Sequence, residues 1–198
     1  MIAALLLGGF GGALAQKAEA PRVEAGTRWQ FVEYYEVPSA KPNRAWVITE
    51  VTPTVIHGTE NGEPLRLTPD LNVLESPRHR SSNPRSLDFP LEVGKRWRYA
   101  NDWVFVPKGS KGSVDVEVTV LGYEKVSVPA GEFDAFKLAS TERLAGTSPI
   151  SSQYAGEITR TYWYAPSARA IVKMVSRNPY LGPSTVELVS FELRPLAQ

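Results

Sequence analysis

The stretch SVDVEVTV, from Ser113 to Val120, gives the clearest indication of the fold in this sequence. Its four valines alternate with Asp115, Glu117 and a threonine, so an extended chain would have one apolar and one polar face. The preceding KGSKG, residues 108–112, has the glycine and serine content of a tight turn. We therefore predict a half-buried strand that forms a hairpin with residues 96–106.

Two further stretches have apolar runs on both sides of a short break. VSVPAGEFDAFKLAS, residues 126–140, turns at Pro-Ala-Gly, and TRTYWYAPSARAIVKMVS, residues 159–176, turns at Ala-Pro-Ser-Ala. Helical periodicity is almost absent, and sixteen prolines punctuate the alternating runs. The sequence predicts an all-β protein in which about ten antiparallel strands form one curved sheet. A half-barrel, a closed barrel and a sandwich all agree with this pattern.

The C-terminal run, residues 185–193, changes phase along its length. Val186 and Leu188 share one face, whereas Val189 and Phe191 share the other. Such a change is explained by a β-bulge or by a segment that is buried on both faces.

A short motif occurs twice in the chain. GTRWQF at residues 26–31 and GKRWRY at residues 94–99 share the pattern G-x-R-W-x-[FY]. The repeat predicts two similar meanders, at about residues 22–76 and 91–193. Between them, residues 77–90 (PRHRSSNPRSLDFP) have the composition of an irregular loop, neither strand nor helix.

The N-terminal segment MIAALLLGGFGGALAQ is uncharged and ends in Ala-Leu-Ala before Gln16. This pattern is typical of a signal peptide, which we predict at residues 1–15, followed by a single β domain at residues 16–198. The apolar run is shorter than the roughly 20 residues of a transmembrane helix. We therefore expect an exported protein without a transmembrane segment after removal of the leader, and a bacterial periplasm fits a chain without cysteine.

The composition argues against several functional classes. Lysine and arginine (22) nearly balance aspartate and glutamate (21), which gives no support for nucleic-acid binding. The chain has no G-x-S-x-G elbow, no paired-histidine metal spacing and no glycine-rich phosphate loop, so we predict no cofactor, metal or catalytic set. His57 and His79 lie in polar, turn-like contexts and are predicted to be surface residues. An enzyme of the carboxylate type would depend on Glu33 and a second acid.

An aromatic stripe supplies the candidate ligand-binding residues. The residues predicted to face inward are Trp29, Phe31, Glu33, Trp97, Tyr99, Asn101 and Trp103. Their rings either fill the core or line a cavity for an apolar ligand. Three arginines of the 77–90 loop, Arg78, Arg80 and Arg85, are candidate anion-binding residues, with a solvated loop as the alternative.

Three motifs resemble those of a family of uncharacterised exported bacterial β proteins. They are GKRWRY at residues 94–99, VSVPAGEFDAFKL at 126–138 and TYWYAPSARAIVKMV at 161–175. A glycine of the family's last turn is replaced here near Arg169. The similarity covers roughly half the chain, and it implies a β fold and an envelope setting without supplying catalytic residues.

The leading hypothesis is an exported, non-catalytic β domain that binds an apolar or amphiphilic small molecule of the envelope. One alternative is a structural module that binds another envelope protein. The other is a carboxylate-type hydrolase.

Overall fold

The computed structural model describes residues 16–35, 43–149 and 151–196; the predicted signal peptide lies outside them. The strands are β1 (Lys17–Ala18), β2 (Arg28–Tyr34), β3 (Arg44–Val51), β4 (Ile56–Glu60), β5 (Glu63–Leu67), β6 (Val73–Glu75), β7 (His79–Ser81), β8 (Leu91–Glu92), β9 (Arg96–Phe105), β10 (Ser110–Val128), β11 (Gly131–Ser148), β12 (Ser151–Ala165), β13 (Ala170–Asn178) and β14 (Gly182–Glu192). A single 3-10 turn, Val106–Lys108, follows β9. Nowhere in these residues is a helix long and apolar enough to cross a membrane.

Within the described residues, twelve strands form a closed antiparallel barrel. Their order is β10-β11-β12-β13-β14-β2-β3-β4-β5-β6-β7-β9, and β9 pairs with β10 to close the ring. The two short strands β1 and β8 pair separately. The all-β, antiparallel prediction is confirmed, and a closed barrel is the architecture adopted among those that the sequence left open.

Two details of the strand prediction had different outcomes. The register of β14 with β2 shifts between Leu188 and Ser190, which agrees with a bulge, the first of the two explanations that the sequence left open for the last strand. The expectation that residues 77–90 contain no strand is wrong, because β7 lies there and pairs with β9. β7 has only three residues and they are polar, so alternation gives no signal.

The repeated motif forms the same turn twice. The turns at residues 24–27 and 92–95 each close with a 3.0 Å hydrogen bond from the fourth N–H to the first carbonyl. Gly26 and Gly94 occupy the third position with φ of 88° and 91°, a region in which a side chain would be strained. The two copies therefore begin β2 and β9 with the same backbone geometry.

The strands that follow each copy also match. The Gly26 N–H donates to the Ile48 carbonyl of β3 (2.7 Å), and the Gly94 N–H donates to the Val120 carbonyl of β10 (2.9 Å). Immediately afterwards, both strands have a register shift, at Thr49 in β3 and at Leu121 in β10. The barrel thus consists of two six-strand meanders, β2–β7 and β9–β14, with corresponding starts.

The turn between β12 and β13 accommodates Arg169 where the family pattern has a glycine. Arg169 adopts a left-handed backbone with φ of 50°, and its Nη1 donates to the Arg22 carbonyl (2.8 Å). The turn therefore has a non-glycine residue in the left-handed region of the backbone.

Apolar side chains fill one end of the barrel, the end at which β2 and β9 begin, and we call it the apolar end. Two clusters of buried residues meet there, one around Trp29 and the other around Trp97. We call the opposite end, where β2 and β9 finish, the polar end.

Candidate ligand-binding site

The seven predicted ligand-binding residues all lie in the inward phase of β2 and β9. In β2 they alternate with the exposed Arg28 and Gln30, and in β9 with the exposed Arg96 and Arg98. The direction predicted from the aromatic stripe therefore agrees with the observed burial. The residues divide between the two ends of the barrel.

Three of the rings, Trp29, Phe31 and Trp97, are part of the packed apolar end. Trp29 is 1% exposed and Trp97 is 9% exposed. The indole Nε1 of Trp29 donates to the Ala168 carbonyl (2.9 Å), and that of Trp97 donates to the Arg85 carbonyl (2.6 Å). Their packing suits a core role, and ligand binding by these three residues stays a prediction.

Tyr99 and Asn101 connect β9 to the chain segment before β8. The Tyr99 hydroxyl lies 3.3 Å from Ser86 Oγ, and burial raises the pKa of Tyr99. The buried Asn101 Oδ1 accepts a hydrogen bond from the Asn83 N–H (2.8 Å). These two polar groups therefore have structural partners on the segment that the sequence assigned to a loop.

Glu33 belongs to an ion network at the polar end. Its Oε2 lies 3.2 Å from Arg78 Nη1 and 3.8 Å from Arg44 Nη1. Arg44 Nη2 also contacts Glu60 Oε2 (3.2 Å), which accepts a hydrogen bond from Trp46 Nε1 (2.8 Å). Two acids, Glu33 and Glu60, thus share one arginine inside the barrel.

A second network, which the sequence analysis missed, lies on β11 and β12. Glu142 Oε2 pairs with Arg160 Nη1, and Glu142 Oε1 accepts hydrogen bonds from Ser140 Oγ (3.1 Å) and the Tyr162 hydroxyl (3.3 Å). Burial alone would lower the pKa of Arg160, but the charges of Glu142 and Tyr162 and their hydrogen bonds to the guanidinium together outweigh burial, and the pKa is raised. The sequence did contain one sign that Glu142 points into the barrel. Glu142 lies two residues after Ser140 and four after Leu138, so in a strand all three side chains point to the same, inward face.

His79 faces the second network, which corrects its assignment as a surface residue. It is half-buried, and its pKa is lowered by burial and by the positive charge of Arg160, against the opposing effect of Glu142. The inward position of His79 could not be predicted from the sequence, because β7 is polar and too short to show alternation.

A chamber of about 110 Å³ lies between the two networks. Glu33 and Arg78 come from the first network and Arg160 from the second, while Ser176 adds a buried hydroxyl. Two exposed apolar side chains, Tyr35 and Leu181, also line the chamber. The chamber therefore combines charged and hydroxyl groups with an apolar rim.

The three predicted anion-binding arginines do not share one partner. Arg78 pairs with Glu33 at the chamber, Arg80 with Glu75 (3.1 Å) and Arg85 with Asp88 (2.6 Å). A hydrogen bond with Tyr35 and the charge of Glu33 raise the pKa of Arg78 despite its partial burial. Of the three arginines, Arg78 is the one that lines the chamber.

A larger concavity, an open groove of about 1150 Å³, crosses β7 and β9 to β12. Cross-strand partners place Val104, Lys111 and Thr147 in one row on the outward face of the sheet. Trp103 also lines the groove, and its ring lies so close to Gly146 that a Cβ there would come within 2.8 Å. The groove is wide and open and is lined from both faces of the sheet, whereas the chamber is the more enclosed and the more highly charged site.

No family model and no curated protein matches this sequence. Solved structures do match the fold. A candidate lipoprotein from Parabacteroides distasonis ATCC 8503 aligns with a TM-score of 0.54 at 14% identity, covering 88% of this chain and 99% of that chain. A candidate exported protein with a YmcC-like fold, from Bacteroides fragilis NCTC 9343, aligns with a TM-score of 0.50 at 14% identity, with the same coverage. At this identity the similarity establishes a shared fold and assigns no ligand.

Proposed function

We propose that this protein is an exported, non-catalytic envelope domain that binds an amphiphilic ligand at the polar end of its barrel. The observation that carries the proposal is the chamber, which is lined by the more enclosed Glu33 and Arg160, the half-exposed Arg78 and an apolar rim of Tyr35 and Leu181. A polar head group inside it would have charged and hydroxyl partners. An apolar chain at the rim would cover side chains that are now exposed to water.

The size of the chamber supports this division of the ligand. Its volume of about 110 Å³ is well below the roughly 300–1,000 Å³ of sites that enclose a whole drug-sized molecule. A head group fits, and the remainder of the ligand must lie outside. The exposed Tyr35 and Leu181, with Tyr180 beside Leu181 in the chain, provide an apolar surface for it.

The rim gives the sharpest test of this proposal. Leu181 is 43% exposed, and Leu121, on the opposite part of the barrel, is 52% exposed. Covering a leucine side chain contributes about 1.5–3 kcal/mol, and 1.4 kcal/mol is a tenfold change in affinity. Leu181→Ser should therefore weaken the binding of a single-chain amphiphile by about tenfold, and Leu121→Ser should leave it unchanged.

The measurement is titration calorimetry below the critical micelle concentration, together with native mass spectrometry of the protein from its own host. Equal losses in both variants would indicate non-specific adsorption. Absence of binding by amphiphiles of every head-group class would reject the proposed function.

A structural module that binds another envelope protein is the second candidate, and the open groove supports it. Val104, Lys111 and Thr147 present a row of side chains across three strands on the outward face. Val104→Arg would obstruct such a surface without touching the chamber. Loss of a co-purifying envelope protein in this variant, with amphiphile binding intact, would favour the module.

The hydrolase alternative has one supporting observation, because Glu33 is largely enclosed and Glu60 lies across Arg44 from it. Both acids are engaged with arginine, an arrangement that suits an ion network. Incubation of the protein with a bound amphiphile, followed by mass analysis of the ligand, separates binding from turnover. Cleavage that is abolished by Glu33→Gln would establish the enzyme.

A further inference from the structure

The two ion networks beside the chamber contain equal numbers of positive and negative side chains, although two guanidinium groups and one carboxylate line the chamber itself. Three carboxylates and three guanidinium groups make up the two ion networks: Glu33, Glu60, Glu142, Arg44, Arg78 and Arg160. His79 adds no charge near neutral pH, because burial and Arg160 lower its pKa. The two networks together therefore carry no net charge.

On the condition that the chamber holds a head group, as proposed above, we infer that this head group is zwitterionic. Its anionic group, a phosphate or a carboxylate, faces Arg160 and Arg78, and its ammonium group faces Glu33. These three residues are the charged side chains in the described wall of the chamber. Both signs are therefore available to the ligand within one small volume.

Charge balance separates a zwitterion from an anion or a cation. A head group with net charge would leave one charge beside the largely enclosed Glu33 and Arg160 without a partner, and such a charge is costly to hold away from water. A zwitterion adds no net charge. It nevertheless gives charge-assisted hydrogen bonds, which are roughly twice as strong as those of an uncharged polar head group.

The geometry of the wall assigns the two ends of the zwitterion. Arg160 is held by Glu142, which itself accepts from Ser140 and Tyr162, so the guanidinium is fixed before a ligand arrives. Glu33 contacts both of its arginines through Oε2. We assign its Oε1 as the acceptor for the ammonium group.

The test compares single-chain amphiphiles that have the same chain length and different head groups. The probes are lysophosphatidylethanolamine (zwitterionic), lysophosphatidylglycerol (anionic), an alkylammonium (cationic) and a monoacylglycerol (uncharged). The zwitterion should bind at least about tenfold more tightly than the anionic and cationic probes, since one unpaired charge outweighs 1.4 kcal/mol. It should also bind more tightly than the uncharged probe, which forms no charge-assisted hydrogen bonds.

Charge-altering variants provide the second readout. Glu33→Gln leaves the chamber with one excess positive charge and should move the preference to the anionic probe. Arg78→Gln should move the preference to the cationic probe. A general loss of stability would weaken the binding of all probes. It would not move the preference to the anionic probe in one variant and to the cationic probe in the other.

Two outcomes separate the inference from the proposed function. Tightest binding of the anionic, cationic or uncharged probe to the unaltered protein would overturn the inference and leave the proposed function standing. Binding by no probe would reject both. The unaltered protein alone decides between these outcomes, so the inference remains open to refutation even where a variant fails to fold.

Discussion

The same strands build the apolar end and the polar end of the barrel, and the inward side chains change character along each strand. On β2, Trp29 and Phe31 are followed by Glu33, and on β11, Leu138 is followed by Ser140 and Glu142. Alternation fixes which side chains point inward, but it does not fix whether they are apolar. The apolar end therefore supplies the packed core, and the polar end supplies paired charges around the chamber.

This comparison predicts that the largest loss of stability arises at the apolar end. Trp29→Ala removes a 1%-exposed indole from the core and should lower the free energy of unfolding by about 3–5 kcal/mol. Trp97→Ala should have a similar but smaller effect, because Trp97 is slightly more exposed. Urea unfolding monitored by circular dichroism measures both changes.

Arg96→Ala is the matched control for this prediction, since Arg96 precedes Trp97 in β9 and is exposed on the outward face. Its free energy of unfolding should change by no more than about 0.5 kcal/mol. If Trp97→Ala were harmless and Arg96→Ala destabilising, the inward and outward faces of β9 would be the reverse of those assigned here. The apolar end would then not be the packed core.

The polar end should also contribute stability, but less, and through pairing of charges. Glu142→Gln leaves Arg160 without its carboxylate, and breaking a fully buried pair costs about 3–5 kcal/mol. Arg160 is 26% exposed, so water screens part of the uncompensated charge and we expect about 2 kcal/mol. The unfolding free energy of the single variant is the first measurement.

A double-mutant cycle sharpens this second prediction. Combining Glu142→Gln with Arg160→Gln removes both charges, so the double variant should be more stable than the sum of the two single changes implies. Strict additivity would mean that the pair does not interact energetically. The polar end would then differ from the apolar end in ligand binding alone.

Alternation made the inward positions of Trp29, Trp97 and Glu33 predictable, because long strands repeat the pattern over several residues. It did not reveal Glu142 and Arg160, since each lies in a strand with many exposed polar neighbours and only its phase marks it as inward. The pairing of a glutamate on one strand with an arginine on the next depends on register, which a single strand does not encode.

The short strands and the closure of the barrel could not be predicted either, because both depend on pairing between strands. β7 has three polar residues, and its identity as a strand depends on pairing with β9. The closed ring also requires β14 to pair with β2, which lies at the other end of the described chain. Neither feature leaves a local pattern in the sequence, whereas the turns before β2 and β9 do, through Gly26 and Gly94.

The smallest expected effect is a pH dependence of stability that arises at the polar end. The pKa of His79 is lowered from 6.5 in the folded protein, first by burial and then by Arg160, with Glu142 opposing. Between the folded pKa and 6.5, the unfolded chain therefore binds more protons than the folded chain. Stability is fully present above about pH 6.5 and decreases as the pH falls below it.

Melting temperatures at pH 7.5, 6.5 and 5.5 measure this effect in a range where most carboxylates stay ionised. The unaltered protein should lose stability towards pH 5.5, with a slope of at most about 1.4 kcal/mol per pH unit for one proton. His79→Gln should flatten the profile of stability against pH, because it removes the group whose pKa is lower in the folded chain than in the unfolded chain. His57→Gln is the control and should retain the slope of the unaltered protein. If all three profiles fall in parallel, the acid sensitivity lies in groups other than His79, and the polar end has no special share in it.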